Sequence, residues 1–181
     1  MKQLSHLLVP FSFTLLFFVS ACGQGSKDYQ TKTTKKETAM KNPYYSRTST
    51  EKLHVTDAEW KKVLPEDLYE VSRHADTERP FTGKYWNTDE KGTYYCAACG
   101  NKLFRSGAKF SSSCGWPSFF EQDSKTSVVY KVDNTLGMSR TEALCGRCGG
   151  HLGHLFDDGP APTGKRYCMN SIALDFEPDT K

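Results

Sequence analysis

The chain has 181 residues, with 24 lysines and arginines against 21 aspartates and glutamates and a formal net charge of +3. This length suits one domain, or one domain with a tail, and leaves no room for several large domains. The nearly balanced charge gives no support for a nucleic-acid-binding protein, which needs a concentrated basic surface.

Residues 1–21 are predicted to be a signal peptide. Lys2 supplies a positive n-region, and the almost wholly apolar run over residues 7–19 is too short for a permanent membrane-spanning helix. The block Val19-Ser-Ala-Cys22 resembles a bacterial lipobox, in which cleavage leaves Cys22 as the lipidated first residue. We therefore expect an exported bacterial lipoprotein, anchored to a membrane and facing the periplasm or the cell exterior. The alternative is an ordinary secretory signal, with Cys22 buried in the folded protein.

Residues 22–52 are expected to form a flexible linker that begins at the lipidated cysteine. Lysine, threonine, serine, glutamine and glycine dominate residues 23–49, and large aliphatic residues are nearly absent. Such a composition cannot bury enough surface to offset its ordering entropy. The basic excess is interpreted as a solvated tether, so contact with the membrane is expected only through the lipid at Cys22. The folded domain is then expected to occupy residues 53–181.

The folded domain is predicted to open with two short helices and to continue as a β-rich region. Thr56-Asp-Ala-Glu59 is a capping-box pattern, Pro65 ends the first helix, and residues 66–73 are predicted to form the second. Beyond them, glycines punctuate short segments, as in a β-rich domain with many turns. Residues 127–132 and 167–176 have the β-branched and aromatic content of strands.

Two Cys-x-x-Cys pairs predict one tetrahedral zinc site, formed by Cys96, Cys99, Cys145 and Cys148. Two intervening residues let both sulfurs of a pair face one ion, and four thiolates close the coordination sphere, so the single zinc should be structural. It would join two distant segments and add its binding energy to folding. Three disulfides among the six cysteines after Cys22 are the alternative in an oxidising compartment. A thioredoxin-type motif would need a βαβ context that neither pair has.

Cys168 is the candidate reactive thiol. A strand over residues 166–176 would place Arg166, Cys168 and Asn170 on one face, with apolar residues further along that face entering the core. A nearby cation favours the thiolate, which is the nucleophilic form, and lowers the pKa of the cysteine. The alternative is a buried, inert cysteine.

Two histidines and a second unpaired cysteine are further candidates for residues of the same site. Because four thiolates already complete a zinc sphere, His151 and His154 are free to bind a substrate oxygen or move protons, with metal ligation as the alternative. Cys114 stands beside Trp116, which alone would be typical of core or rim packing. A thiol that forms a sulfenic acid needs a second thiol to convert it into a reducible disulfide, and Cys114 is a candidate for that role.

Several blocks together resemble the methionine-R-sulfoxide reductases of the B type, over about residues 57–176. Besides the two cysteine pairs and Asn170-Ser171, these blocks are Arg79-Pro-Phe-Thr-Gly-Lys-Tyr-Trp86, Cys114-Gly-Trp-Pro-Ser-Phe119, Gly149-Gly-His-Leu-Gly-His-Leu-Phe156, Asp158-Gly-Pro160 and Pro162-Thr-Gly-Lys-Arg-Tyr-Cys168. The resemblance implies a mainly β fold of two small antiparallel sheets, of the β-tent (Mss4-like) kind, with short N-terminal helices and a structural zinc on the four paired cysteines.

The resemblance also implies an enzyme that repairs oxidised proteins. Cys168 matches the nucleophile that attacks the sulfoxide sulfur, releases methionine and becomes a sulfenic acid. Cys114 matches the resolving position, where a disulfide forms and a thioredoxin or thioredoxin-like thiol donor reduces it. The substrates implied are oxidised-methionine proteins or free methionine sulfoxide. A cytoplasmic thioredoxin would not reach an exported enzyme directly, so a membrane-linked thiol donor is expected.

The same matching gives roles to the surrounding residues. The sulfoxide oxygen would be held and protonated by His151, His154 and Asn170, while Trp116 would wall the pocket for the substrate methyl group and Arg166 would support the thiolate. Two other functions stay open from the residues. One is a non-catalytic, zinc-stapled β module that binds a partner. The other is a metal-dependent hydrolase, in which the histidines and Cys168 bind a second metal.

Overall fold

The computed structural model describes residues 41–180. The predicted signal peptide, Cys22 and the first part of the predicted linker lie outside these residues. The helices are α1 (Asp57–Val63) and α2 (Glu66–His74), and none in the described range is long and apolar enough to cross a membrane. The strands are β1 (Gly92–Cys96), β2 (Lys102–Arg105), β3 (Lys109–Phe110), β4 (Ser118–Phe119), β5 (Val128–Asp133), β6 (Arg140–Cys145), β7 (His151–Phe156), β8 (Arg166–Met169) and β9 (Leu174–Pro178).

The strands form two antiparallel sheets. The smaller sheet has the order β2-β1-β9, and the larger one has the order β3-β4-β8-β7-β6-β5. Each pairing within them is antiparallel. The predicted mainly β fold with short N-terminal helices is therefore confirmed, and it places β7 and β8 at the centre of the larger sheet.

The two helices begin and end where the sequence predicts. The Thr56 hydroxyl accepts a hydrogen bond from the Glu59 amide at 3.3 Å, and a Glu59 carboxylate oxygen accepts one from the Thr56 amide at 3.0 Å. This reciprocal arrangement satisfies two of the amide groups that a helix N-terminus leaves without partners. The first helix buries Trp60, and the second helix packs its apolar face against β7.

Aromatic side chains join the two sheets. Phe104 of β2 stacks on Phe119 of β4 with ring centroids 4.3 Å apart, and Tyr94 of β1 meets Phe119 edge-on at 5.0 Å. All three rings are fully buried. Burying one such side chain contributes roughly 1.5–3 kcal/mol relative to leaving it exposed. This packing fixes β4, and with it the neighbouring β8, against the rest of the domain.

The single strand predicted over residues 167–176 is wrong, because the structure divides it between two sheets. Strand β8 ends at Met169, a short 3-10 turn covers Ser171–Ala173, and β9 begins at Leu174 in the smaller sheet. The Glu78 carboxylate accepts hydrogen bonds from the amides of Ser171 at 2.6 Å and Ile172 at 3.1 Å. Those amides are thereby diverted from a sheet ladder, so the chain turns after Asn170.

The residues before α1 differ from the expected linker. The Asn42 amide side chain donates to the Ala98 carbonyl at 2.8 Å, the Ser46 amide donates to the Cys99 carbonyl at 2.9 Å, and Tyr44 packs edge-on against Trp60 at 5.1 Å. Within the described range, the chain is therefore packed on the domain from about residue 42, rather than from residue 53.

Candidate active site

Sheet pairing aligns two of the candidate site residues, His154 and Cys168, in one row with residues of the neighbouring strands. Lys131 pairs with Glu142, Glu142 with His154, His154 with Cys168, and Cys168 with Ser118. Directly opposed residues on antiparallel strands share a face of the sheet, so these side chains lie side by side across five strands. The reactive-thiol candidate thus has a histidine on one side and the loop that carries Cys114 on the other.

Gly153 permits the close approach of β7 to β8. Its φ is +156°, and a Cβ built there would lie 2.1 Å from the carbonyl oxygen of Cys168. No larger residue fits without moving the backbone of β8. The glycine between the two histidines therefore sets how near His154 stands to Cys168.

The thiols of Cys114 and Cys168 lie 3.5 Å apart. Cys168 is on β8, and Cys114 is in the loop between β3 and β4, where the hydroxyls of Ser112 and Ser118 approach its sulfur at 2.9 and 3.5 Å. A disulfide has a sulfur–sulfur bond of about 2.05 Å, so the two atoms need to close by roughly 1.5 Å. The structure thus brings together the two cysteines that the sequence left outside the metal site.

The pKa values of the two thiols are shifted in opposite directions. Burial acts to raise the pKa of Cys114, but hydrogen bonds from Ser112 and Ser118 outweigh it and lower that pKa to about 7. Burial, followed by the neighbouring Cys114, raises the pKa of Cys168 to about 12, against the opposite influence of Arg166. The expected low pKa of Cys168 is therefore not met in the reduced protein, because burial and a second thiol outweigh the guanidinium.

A small cavity of about 130 Å³ opens onto Cys168. Of the predicted site residues, Trp116, His154 and Asn170 line it with Cys168, whereas Cys114 does not. The Trp116 indole donates to the Glu78 carbonyl at 3.1 Å. The Asn170 side chain accepts from the Glu78 amide at 3.0 Å and donates to the Leu152 carbonyl at 3.2 Å. Backbone contacts thus fix two walls of the cavity.

His154 is held by an acidic partner on β5. Its Nε2 lies 2.8 Å from an oxygen of Asp133, and Arg140 donates to the same oxygen at 2.6 Å. Hydrogen bonds from Thr135, followed by one from His154 and by the nearby charge of Arg140, keep the pKa of Asp133 well below its usual range. A permanent carboxylate at this position orients the imidazole and favours a hydrogen on Nε2.

His151 is placed differently from His154. It is only 3% exposed, its Nδ1 lies 2.7 Å from a Glu142 oxygen, and its Nε2 has no hydrogen-bond partner among residues 41–180. Burial lowers the pKa of His151, although Glu142 acts in the opposite direction. His151 does not line the small cavity, but it lines a second cavity of about 490 Å³ that shares Thr77, Arg140 and His154 with the first.

Arg166 stands beside the thiols without lining the small cavity. Its guanidinium forms two hydrogen bonds to Asp158, each 2.7 Å long, and stacks over the Phe156 ring at 4.3 Å. The Asp158 carboxylate raises the pKa of Arg166, and the pKa of Asp158 is lowered in return. Arg166 is nevertheless close enough to act on Cys168, whose pKa it lowers against the larger effect of burial.

Four cysteines form a buried cluster compatible with a zinc site. Each Cys-x-x-Cys pair forms one knuckle, the first with Cys96 and Cys99 and the second with Cys145 and Cys148. The sulfurs all lie within 4.8 Å of one another, and two distances between the knuckles are 3.8 Å for Cys96–Cys148 and 3.6 Å for Cys99–Cys145. A tetrahedral zinc with bonds of about 2.3 Å separates its sulfurs by about 3.8 Å. The six cysteines of the described range are free thiols, so the alternative of three disulfides does not hold for it.

Sequence reasoning missed the carboxylates that hold the histidines. Asp133 is the last residue of β5, and Glu142 stands two residues after Arg140 in β6, positions that ordinarily indicate solvated side chains. Only the strand register reveals that Glu142 is paired with His154 and contacts His151. Glu78 was missed as well, because its partners are distant in the sequence. The one sequence signal for these carboxylates was the spacing of two between Arg140 and Glu142, which places both side chains on one face of a strand that precedes the histidine pair.

Comparisons with known proteins agree with this geometry. Residues 64–178 match the model of the SelR domain. The chain is 52% identical over 128 residues to a peptide methionine sulfoxide reductase MsrB from Herminiimonas arsenicoxydans, covering 71% of this chain and 93% of that protein. Proteins of the same name from Agrobacterium fabrum and Methanosarcina barkeri are 53% and 54% identical, over 70% and 67% of this chain and 94% and 86% of their own length.

Proposed function

The chain belongs to the SelR domain family, and on that premise we propose that it reduces methionine-R-sulfoxide to methionine with the thiols of Cys168 and Cys114. The observation that carries the proposal is the placement of Cys168. Its sulfur faces a cavity lined by an aromatic ring, an imidazole and an amide, and a second thiol lies 3.5 Å behind it. A nucleophile, a substrate pocket and a resolving group thus meet at one point.

The proposed reaction has three steps within the protein. The Cys168 thiolate attacks the sulfoxide sulfur and forms a sulfur–sulfur bond, while the substrate oxygen takes up two protons and leaves as water. A water molecule then attacks the Cys168 sulfur, the sulfur–sulfur bond breaks, methionine leaves, and Cys168 becomes a sulfenic acid with release of one proton. The Cys114 thiolate then attacks the sulfur of that sulfenic acid, which releases its oxygen as water and leaves a Cys114–Cys168 disulfide. Two electrons have passed from the two cysteines to the substrate. An external dithiol returns them by thiol–disulfide exchange.

The surrounding side chains bind and protonate the substrate oxygen. His154 lines the cavity with its Nε2 turned to Asp133, so it can donate a proton from Nδ1 to the substrate oxygen only as the imidazolium, which carries a hydrogen on each nitrogen. Asn170 lies on the same wall, and Trp116 offers an apolar surface to the methyl group. His151 lies behind His154, with ring centroids 5.4 Å apart, and is placed to supply protons from the larger cavity. Protonation assists because the oxygen leaves more readily as water.

We infer that the four-cysteine cluster holds one structural zinc. Its sulfur spacing fits the ion, its side chains are buried, and no coordination position remains for a substrate. Within residues 41–180 these four are the metal-binding side chains that cluster, so the hydrolase alternative, which needs a second metal at the histidines, has no support there. A non-catalytic module would have no need for the assembly around Cys168.

The predicted anchor and electron donor complete the proposal. The lipobox-like block Val19-Ser-Ala-Cys22 supports an exported enzyme tethered by lipid at Cys22. Oxidised methionines in envelope proteins, or free methionine sulfoxide, would be its substrates there. Because the Cys114–Cys168 disulfide has to be reduced before the next turnover, the proposal implies a thioredoxin-like thiol donor in the same compartment.

The experiment that tests this function measures both sulfoxide epimers with dithiothreitol as reductant. We expect activity on the R epimer alone and its complete loss in Cys168→Ser. Cys114→Ser should still form about one methionine per enzyme but should cycle poorly with thioredoxin. Substantial R-epimer activity in Cys168→Ser would refute the nucleophile, and unchanged thioredoxin-coupled turnover in Cys114→Ser would refute the disulfide.

A further inference from the structure

Arg147 lies between the two cysteines of the second knuckle and is only 7% exposed. Its guanidinium donates to the carbonyls of Glu51 at 3.1 Å, of Tyr44 and Ser46 at 3.3 Å each, and of Cys99. Within residues 41–180 no carboxylate stands within ion-pair distance of it. Burying an ionised group without a counter-charge is costly, so this cation calls for a negative partner.

The four-cysteine cluster supplies that partner once it holds zinc. Four thiolates around one divalent ion carry two net negative charges, which are equally costly to bury alone. Arg147 stands between two of the ligands, Cys145 and Cys148, in the sequence and contacts the backbone of a third ligand, Cys99. We propose that Arg147 is the counter-charge of the zinc centre, an inference that rests on the structural zinc proposed above.

The segment before α1 holds Arg147 in this position. We call residues 42–53 the N-terminal strap. Besides accepting three of the guanidinium bonds through Tyr44, Ser46 and Glu51, the strap donates from the Leu53 amide to the Arg147 carbonyl at 2.9 Å. At Gly100, just after the first knuckle, an added Cβ would lie 2.7 Å from the Ser46 carbonyl, so the strap passes in direct contact. The strap therefore covers both knuckles.

This arrangement explains how a mostly polar stretch packs on the domain. Three backbone carbonyls of the strap solvate a buried cation, and Tyr44 and Leu53 add apolar contacts with the core. The strap precedes the part of the chain matched by the SelR domain, which starts at residue 64. The strap also makes contacts that do not involve Arg147, since Arg47 forms ion pairs with Asp175 and Glu177 at 2.7 Å each. Arg47 is thus a matched control: an arginine in the strap with its own carboxylates.

The test compares zinc release from the full-length chain and three variants. Arg147→Gln keeps hydrogen-bond donors but loses the charge, Arg147→Lys keeps the charge but loses the planar fork, and Arg47→Gln is the control. Zinc content per chain is measured by elemental analysis on purification. Transfer of zinc to the chelator 4-(2-pyridylazo)resorcinol is then followed over time, with circular dichroism as a check on folding.

We expect zinc release to be roughly tenfold or more faster in Arg147→Gln, which is the usual scale for losing a group that supports metal ligands. Arg147→Lys should lie between that variant and wild type, and Arg47→Gln should stay within about twofold of wild type, as for an exposed ion pair. Loss of zinc from Arg147→Gln already on purification would support the same conclusion.

Release from Arg147→Lys as fast as from Arg147→Gln would overturn the proposal, because hydrogen bonding rather than charge would then decide retention. Wild-type release rates in both would overturn it as well. A wild-type chain without zinc would overturn the zinc and its counter-charge together. Sulfoxide reduction, measured in the same samples, reports separately on the proposed enzyme.

Discussion

Cys114 and Cys168 do not both ionise readily in the reduced protein, because two thiolates 3.5 Å apart would repel each other strongly. The serine hydroxyls around Cys114 favour the thiolate there, with a pKa of about 7, while burial holds Cys168 as a thiol, with a pKa of about 12. Attack by Cys168 then requires its proton to pass to Cys114. The resolving cysteine is thus proposed to serve first as the base and later as the second thiol.

The pH dependence of the first turnover tests this proton transfer. Below pH 7 Cys114 is protonated and the pair lacks its base, so the single-turnover rate of wild type should rise as the pH increases through about 7. In Cys114→Ser the base is lost, and Cys168 has to ionise alone in a buried place. The midpoint of that variant should move to higher pH, by one unit or more. Methionine formed per enzyme under reductant-free conditions is the measurement.

Two controls keep the interpretation specific. Arg47→Gln, on the strap, should keep the wild-type midpoint. Identical midpoints in wild type and Cys114→Ser would mean that Cys168 ionises without its neighbour, and the proposed role of Cys114 as a base would be discarded.

At the scale of elements, the break between β8 and β9 builds part of the pocket. Glu78 joins three parts of it: its carboxylate accepts from the amides of Ser171 and Ile172, its own amide donates to Asn170, and its carbonyl accepts from Trp116. A chain that continued as one strand would carry Asn170 onward with the sheet. The turn instead holds Asn170 beside the cavity, opposite the segment that fixes Trp116.

Glu78→Ala should therefore affect both stability and catalysis. It removes the acceptor of two amides, and each buried amide without a partner costs about 1–3 kcal/mol. We expect a lower free energy of unfolding in urea and a reduced kcat/KM, since the turn that follows Asn170 loses its carboxylate acceptor, while the backbone of residue 78 can still bond to Asn170 and Trp116. Glu121→Ala, at an exposed position, is the control and should change neither quantity. Wild-type stability in Glu78→Ala would show that the turn holds without this carboxylate.

At the scale of the whole molecule, features that depend on neighbouring residues were predictable and those that depend on distant ones were not. Short motifs predicted the capping box at Thr56, the end of the first helix before Pro65 and the two cysteine knuckles, and the structure has all of them. The break after Asn170 depends on a carboxylate 93 residues away from Ser171, and the strap depends on an arginine 101 residues away from Ser46. The local sequence pattern around each segment gives no indication of partners that lie so far away along the chain.

The candidate site divides in the same way. Its thiols, histidines, amide and indole were identified from motif blocks that resemble a known family. The acidities of the thiols were not, because they depend on burial and on which hydroxyls surround each sulfur. An arginine two residues from Cys168 suggested a low pKa, yet that arginine is occupied by Asp158.

The predicted lipid anchor is a property of the full chain and is tested on it. Stable attachment takes two acyl signals, since each buried methylene contributes only about 0.8 kcal/mol, so a lipidated Cys22 should carry more than one chain. Cells expressing the full-length protein and supplied with labelled palmitate should label the wild type, whereas Cys22→Ser should stay unlabelled. Cys114→Ser, which also lacks one thiol, should label like the wild type. An unlabelled wild-type protein would contradict the anchor and leave the ordinary secretory signal.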